Sequence, residues 1–150
     1  TALADVETED SAIVTLKFKS GALGIIEATT ATRPTNLEGS ISILGENGTV
    51  VIGGVAVNEM QTWVFEDEQE GDSVVLEEFS VNPPNVYGFG HQAYYEHVVD
   101  CVVNESANLV DGFQGRKSIE LISAIYESAE TGKEVFLKFK SKHCRLGQKA

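Results

Sequence analysis

A chain of 150 residues, 42% of them hydrophobic, can bury a core as one domain, and nothing in its composition marks disorder or a collagen-like repeat. A net charge of -12 with a pI near 4.5 repels a phosphate backbone, and no Lys/Arg cluster interleaves with aromatic residues, which excludes nucleic acid as a partner. No apolar run approaches the ~18 residues of a membrane span and no charged-then-apolar leader is present, so the sequence reads as cytoplasmic with no membrane partner.

Cys101 falls in a helical pattern and Cys144 in a basic tail, Lys138 to Lys149, expected to be solvated; together they give no disulfide framework, in keeping with a reducing compartment. The chain begins at Thr1 without an initiator Met, as a piece of a longer protein or a matured chain would.

Residues 1–10 are polar and acidic and read as an arriving linker. From Ser11 the pattern alternates, with Ala12, Val14, Leu16 and Phe18 on one side and Ile13, Thr15 and Lys17 on the other, which predicts a strand. Lys19-Ser20-Gly21 turns the chain into the β-branched run Ala22 to Thr30, so a hairpin is expected with apolar residues on both faces. Ala31 to Glu38 is a polar loop in which Pro34 restricts Arg33 to extended backbone. Ser40 to Leu44 and Thr49 to Ile52 flank Glu46-Asn47-Gly48, the strongest short hairpin signal in the chain. Gln61 to Phe65 and Val74 to Phe79 are expected to form a third pair around a solvated acidic tip, Glu66 to Asp72.

The segment Asn82 to His91 separates β-type from helical sequence. Pro83 and Pro84 remove two donors and fix two φ angles, which requires an ordered loop, while Asn85, Tyr87 and His91 supply uncharged hydrogen-bonding groups suited to a hydroxyl-rich ligand. A turn that ends the sheet and starts a helix accounts for the same residues. Gly88, Gly90 and Ala93 fit G-x-G-x-x-A with Asp111 downstream, but the prolines occupy the place of the parallel strand that a dinucleotide site needs, so no cofactor site is expected there.

Gln92, Glu96, Asp100 and Asn104 then recur as the wet stripe of an otherwise apolar helix. A second helix is predicted from Asp111, with Asp111 as cap and Gln114 at the capping-box position, through Leu121, Ile122, Ile125 and Ala129 to Gly132. Val135, Leu137 and Phe139 alternate with Phe136 and Lys138 as a closing strand. The expected fold is α+β: one domain over residues 1–150, an open, mainly antiparallel sheet of about six or seven strands with two C-terminal helices packed on one face.

His97 and Cys101 at i, i+4 could begin a metal site, but no second ligand pair accompanies them and none is predicted. No G-x-S-x-G elbow or recognised catalytic cysteine is present. What remains is two polar loops, one with Arg33 and Asn36 and the other with Asn85, Tyr87 and His91. Arg33 can clamp a phosphate or carboxylate and the neutral groups can read hydroxyls; a surface salt bridge is the other use for Arg33 in so acidic a chain. From the residues alone the chain is a ligand-binding or oligomerising domain without a complete catalytic set.

The motif order also carries a resemblance. Glu9-Asp10-Ser11-Ala12, Phe18-Lys19-Ser20-Gly21-Ala22-Leu23-Gly24-Ile25-Ile26-Glu27, Leu44-Gly45-Glu46-Asn47-Gly48-Thr49 and the run Asp111 to Leu121 with Ala124 to Ala129 resemble the C-terminal domain of the glucose-fructose oxidoreductase and inositol dehydrogenase family. The run Asn82 to His91 is most similar to the branch acting on UDP-linked N-acetylated aminosugars or their uronates at C3. The resemblance implies an NAD- or NADP-dependent enzyme whose cofactor sits in an N-terminal Rossmann domain absent from this chain, while this domain contributes substrate contacts and a subunit interface, as a homodimer or dimer of dimers. The family's Glu-Lys-Pro and Asp-x-x-x-His motifs are missing: Tyr87, Ala93 and Phe139 stand four residues before His91, His97 and His143. No catalytic residue is therefore assigned, and the span alone is expected to be inactive. The alternative is a free-standing binding or oligomerisation module without catalysis.

Overall fold

The computed structural model describes residues 5–85 and 87–137. The order of elements is β1 (Ser11–Lys17), β2 (Leu23–Thr29), β3 (Ile41–Leu44), β4 (Gly48–Gly53), β5 (Glu59–Phe65), α1 (Asp72–Glu78), α2 (Gly90–Val103) and α3 (Gly112–Thr131). The chain falls into two compact units, Thr1–Val102 and Val103–Ala150. The first holds every strand among the described residues, and α3 lies in the second.

The first hairpin forms as its alternation requires. β1 and β2 pair antiparallel from Ser11 opposite Thr29 to Lys17 opposite Leu23, and the turn closes with Phe18 N–H donating to the Ala22 carbonyl at 2.9 Å. Gly21 takes φ 95°, a conformation open to glycine and costly for other residues. Ala12, Val14 and Leu16 are half-buried, whereas Ile13, Leu23 and Ile25 on the opposite face are 78%, 79% and 76% exposed. The other end of the ribbon is fastened at Asp10, whose backbone carbonyl accepts from Thr30 N–H at 2.8 Å.

The Asn-Gly hairpin also forms, by a different route from the expected one. Neither Asn47 nor Gly48 has a positive φ; Gly45 N–H instead donates to the Gly48 carbonyl at 2.8 Å, and Gly48 is already the first residue of β4, opposite Phe65. Its glycine serves close approach: a Cβ there would lie 2.6 Å from the Val64 carbonyl oxygen and would meet the Phe65 ring more closely still. β4 is the half-buried centre of the β3-β4-β5 sheet, and its pairing with β5 skips Gln61 at a bulge after Val51.

Two expectations are corrected. Among the described residues there are five strands in two antiparallel sheets, of two and three strands, rather than about six or seven in one. The sixth failed because Val74-Val75-Leu76 is a short apolar run that fits either period, and the Leu and Glu residues that end it favour a helix. The run became α1, whose first turn is fastened to β5 by the Trp63 indole N–H, which donates to Asp72 Oδ1 at 2.8 Å. Phe79 and Ser80 return to β5: the Phe79 carbonyl accepts from Met60 N–H at 3.0 Å, and Ser80 bridges to Glu59 and donates its hydroxyl to the Met60 carbonyl at 2.9 Å. Val135, Phe136 and Leu137 are not in a strand; Lys138 and Phe139, with the rest of the basic tail and Cys144, lie outside the described residues.

The helix termini follow the chemistry read from the sequence. Asp111 Oδ1 accepts from Gln114 N–H at 2.8 Å, and Gly132, at φ 65°, ends α3 by donating to the Ser128 carbonyl at 2.8 Å. Gln114 does not close the box; its carbonyl accepts from Lys117 Nζ at 2.6 Å. In α2 the wet stripe holds, with Gln92 Nε2 donating to Glu96 at 2.8 Å, while Tyr94, Tyr95, Val99 and Val102 stay exposed. No large side chain among the described residues is fully buried, and no helix among them is long and apolar enough to cross a membrane.

Candidate functional site

The proline loop arranges its polar residues through bonds that begin at Asn85. Asn85 Oδ1 accepts from Tyr87 N–H at 3.0 Å and its backbone carbonyl accepts from Gly88 N–H at 3.3 Å, a side-chain turn that Asn supports well. The Tyr87 carbonyl lies 3.1 Å from His91 Nδ1, which fits an Nδ1–H donor and leaves Nε2 as the free acceptor. The Tyr87 and His91 rings meet edge to face, with centroids 6.2 Å apart at 80°. His91 is the second residue of α2, and both rings are exposed. Asn85, Tyr87 and His91 therefore form one contiguous cluster with a phenol hydroxyl and an imidazole nitrogen open to a ligand.

Arg33 and Asn36 stand apart from that cluster. Arg33 Nη1 donates to the Thr30 carbonyl at 3.0 Å and the Thr32 carbonyl at 2.7 Å, which ties the guanidinium to its own loop and leaves its other donors free. Asn36 is exposed on the same loop. Among the described residues no hydrogen bond or ring contact joins either of them directly to Asn85, Tyr87 or His91.

His97 and Cys101 meet on α2 with Sγ 3.5 Å from Nε2, and no group of three metal-ligating residues occurs among the described residues. The described strands pair antiparallel, and none runs into Gly88, so the residues present do not fit a dinucleotide. One ionisable contact escaped the sequence reading. Asp72 Oδ2 accepts from Gln69 N–H at 2.7 Å while Oδ1 accepts from Trp63, and these two bonds, the backbone one first, hold the carboxyl below its ordinary value. Its signal was the last acidic residue of a run read as a solvated tip; the other members of that run are exposed.

Residues 2–137 match the oxidoreductase family, C-terminal alpha/beta domain. The chain belongs to this family. Among solved structures it is similar to the WlbA dehydrogenase from Bordetella pertussis in complex with NADH and UDP-GlcNAcA, at 42% identity and a TM-score of 0.80 over 89% of this chain. It is also similar to the WlbA dehydrogenase from Chromobacterium violaceum, again with NADH and UDP-GlcNAcA, at 43% identity and a TM-score of 0.75 over 89% of this chain. The chain spans 38% and 36% of the length of those proteins. The family read from the motifs is thus the family found, and these relatives hold ligands of the two classes that the resemblance implied.

Proposed function

We propose that this chain is the substrate and assembly domain of an NAD(P)-dependent dehydrogenase that oxidises a nucleotide sugar, at C3 of an N-acetylated sugar or its uronate. The observation that carries this reading is its identity of 42% and 43% to dehydrogenases that hold NADH and UDP-GlcNAcA. The nicotinamide belongs to an N-terminal Rossmann domain outside this span, and hydride transfer is assigned to no residue here. The domain contributes Asn85, Tyr87 and His91 as readers of the sugar hydroxyls, with Arg33 and Asn36 facing the charged part of the substrate. His91 positions rather than abstracts, since no carboxylate orients its ring among the contacts described.

The exposed face of the β1-β2 ribbon that carries Ile13, Leu23 and Ile25 supports a homodimer or dimer of dimers. The enzyme works in the cytoplasm. The test is turnover of UDP-GlcNAcA by the full-length protein with NAD or NADP, followed by nicotinamide absorbance, beside titration of the isolated span with the same ligands. Turnover by the whole protein with weak or no binding by the span is expected; tight binding by the span without turnover by the whole protein would instead establish a binding module.

A further inference from the structure

The turn from β4 to β5, residues 53–58, is fastened to both polar loops. On one side Gly39 N–H, at the end of the segment bearing Arg33 and Asn36, donates to the Gly54 carbonyl at 3.2 Å. On the other, Asn58 Nδ2 donates to the Val81 carbonyl at 2.6 Å and to Asn82 Oδ1 at 3.3 Å, at the root of the segment bearing Asn85, Tyr87 and His91. Asn58 Oδ1 accepts from Ala56 N–H at 3.1 Å and so shapes the turn itself. The contact is close: a Cβ on Gly54 would lie 3.0 Å from Asn58 Oδ1 and 3.2 Å from Asn82 Oδ1. Val57 is held at φ 53°, which a β-branched residue adopts only when its surroundings impose it.

Both Asn58 amide hydrogens are thus spent inside the protein, so this side chain serves to place other groups rather than to touch a ligand. Pro83 and Pro84 follow Asn82 directly, and with their φ angles fixed they transmit a displacement at Asn82 to Asn85 instead of absorbing it. We propose that Asn58 is the positioning residue for nucleotide-sugar binding, its carboxamide fixing the root from which Asn85, Tyr87 and His91 reach the sugar. This rests on the substrate role proposed above for those three residues.

The experiment uses the full-length enzyme with two variants. Asn58→Asp keeps the acceptor for Ala56 but loses both donors and sets a carboxylate against two oxygens; Asn58→Ala loses all three bonds. Both are expected to raise KM for UDP-GlcNAcA about tenfold, the scale of one or two lost hydrogen bonds, with KM for NAD unchanged and kcat reduced much less. Both are also expected to speed chymotryptic cleavage after Tyr87 and Phe89, read by fragment mass, under conditions where Trp63 fluorescence reports an intact fold. Unchanged cleavage in Asn58→Asp overturns the anchoring role whatever the enzyme acts on. Faster cleavage with an unchanged KM for the sugar overturns the positioning role and counts specifically against the loop as a substrate contact. Absence of turnover in the unmodified enzyme would defeat the proposed function and, with it, any role for Asn58 in that activity, while the cleavage comparison would still decide the anchor.

Discussion

The same substitution at two glycines should have opposite signs. At Gly48 an added methyl meets the Val64 carbonyl oxygen at 2.6 Å and the Phe65 ring more closely still, and the carbonyl belongs to the β4-β5 ladder, so it cannot retreat without loosening Thr49 from Val64. Overpacking of this kind costs about 1–3 kcal/mol. Displacing Phe65 also weakens its edge-to-face contact with Trp63, whose centroid is 5.0 Å away, a contact worth ~0.5–1.5 kcal/mol. The reduced freedom of the unfolded chain returns ~0.4–1 kcal/mol. Gly48→Ala is therefore expected to destabilise the first unit by about 1–3 kcal/mol. At Gly115, inside α3, a Cβ meets nothing within 4 Å, and Gly115→Ala should stabilise that helix by ~0.5–1 kcal/mol. Urea unfolding checks both, with Trp63, the single tryptophan, reporting on the sheet and amide hydrogen exchange reporting on α3. A Gly48→Ala protein as stable as its parent would refute the close-approach argument, and a destabilised Gly115→Ala would show that α3 has a neighbour at that point.

Asp72 gives a pH dependence of defined sign. Its folded value lies below the ordinary 3.8, so the stability it contributes is present above 3.8 and is lost as pH falls below that, through the folded value. Trp63 emission should therefore show a transition below pH 3.8 that Asp72→Asn removes; a transition centred above 3.8 would contradict it. Asp111→Ala should cost α3 about 1 kcal/mol and speed exchange of the Gln114 amide, whereas Asp111→Asn, which keeps an acceptor, should change little. Arg33→Ala should weaken a charged nucleotide sugar by ~1.5–3 kcal/mol in the full-length enzyme, measured by calorimetry, with cofactor affinity unchanged; an equal loss for both ligands would place Arg33 in the fold rather than at the substrate.

What the sequence discloses about this fold is what local chemistry decides. The Ala12-Val14-Leu16 alternation, the Asn47-Gly48 punctuation and the Asp111 and Gly132 ends of α3 each concern residues a few positions apart, and each formed where expected. Val74 to Leu76 did not, because three apolar residues in a row carry no period; an indole on β5 reaching Asp72 completes a contact that neither segment announces. Asn-Gly turns favour glycine for its freedom at positive φ, yet Gly48 lacks a positive φ and is required for its missing side chain instead. Both demands select glycine, so the hairpin was legible while its reason was not.

The candidate site divides in the same way. Asn85, Tyr87 and His91 could be grouped from sequence because the prolines bar a central strand or a helix interior just before them, although His91 itself lies in the first turn of α2, and the cluster they form is built from bonds spanning two to four residues. The root of that cluster is also held by a carboxamide 23 residues away from the carbonyl it bonds. Such a bond leaves no periodic trace, and Asn58 sits in a turn where asparagine is ordinary on local grounds alone. The link from Gly39 to Gly54 is less visible still, since it joins two backbones and uses no side chain at all. Both polar loops are thus bonded to one turn that carries no ligand chemistry of its own. Substitutions that alter substrate affinity without touching substrate are therefore expected to concentrate at residues 53–58, and among them Asn58 has the most to lose because it alone bonds the second loop.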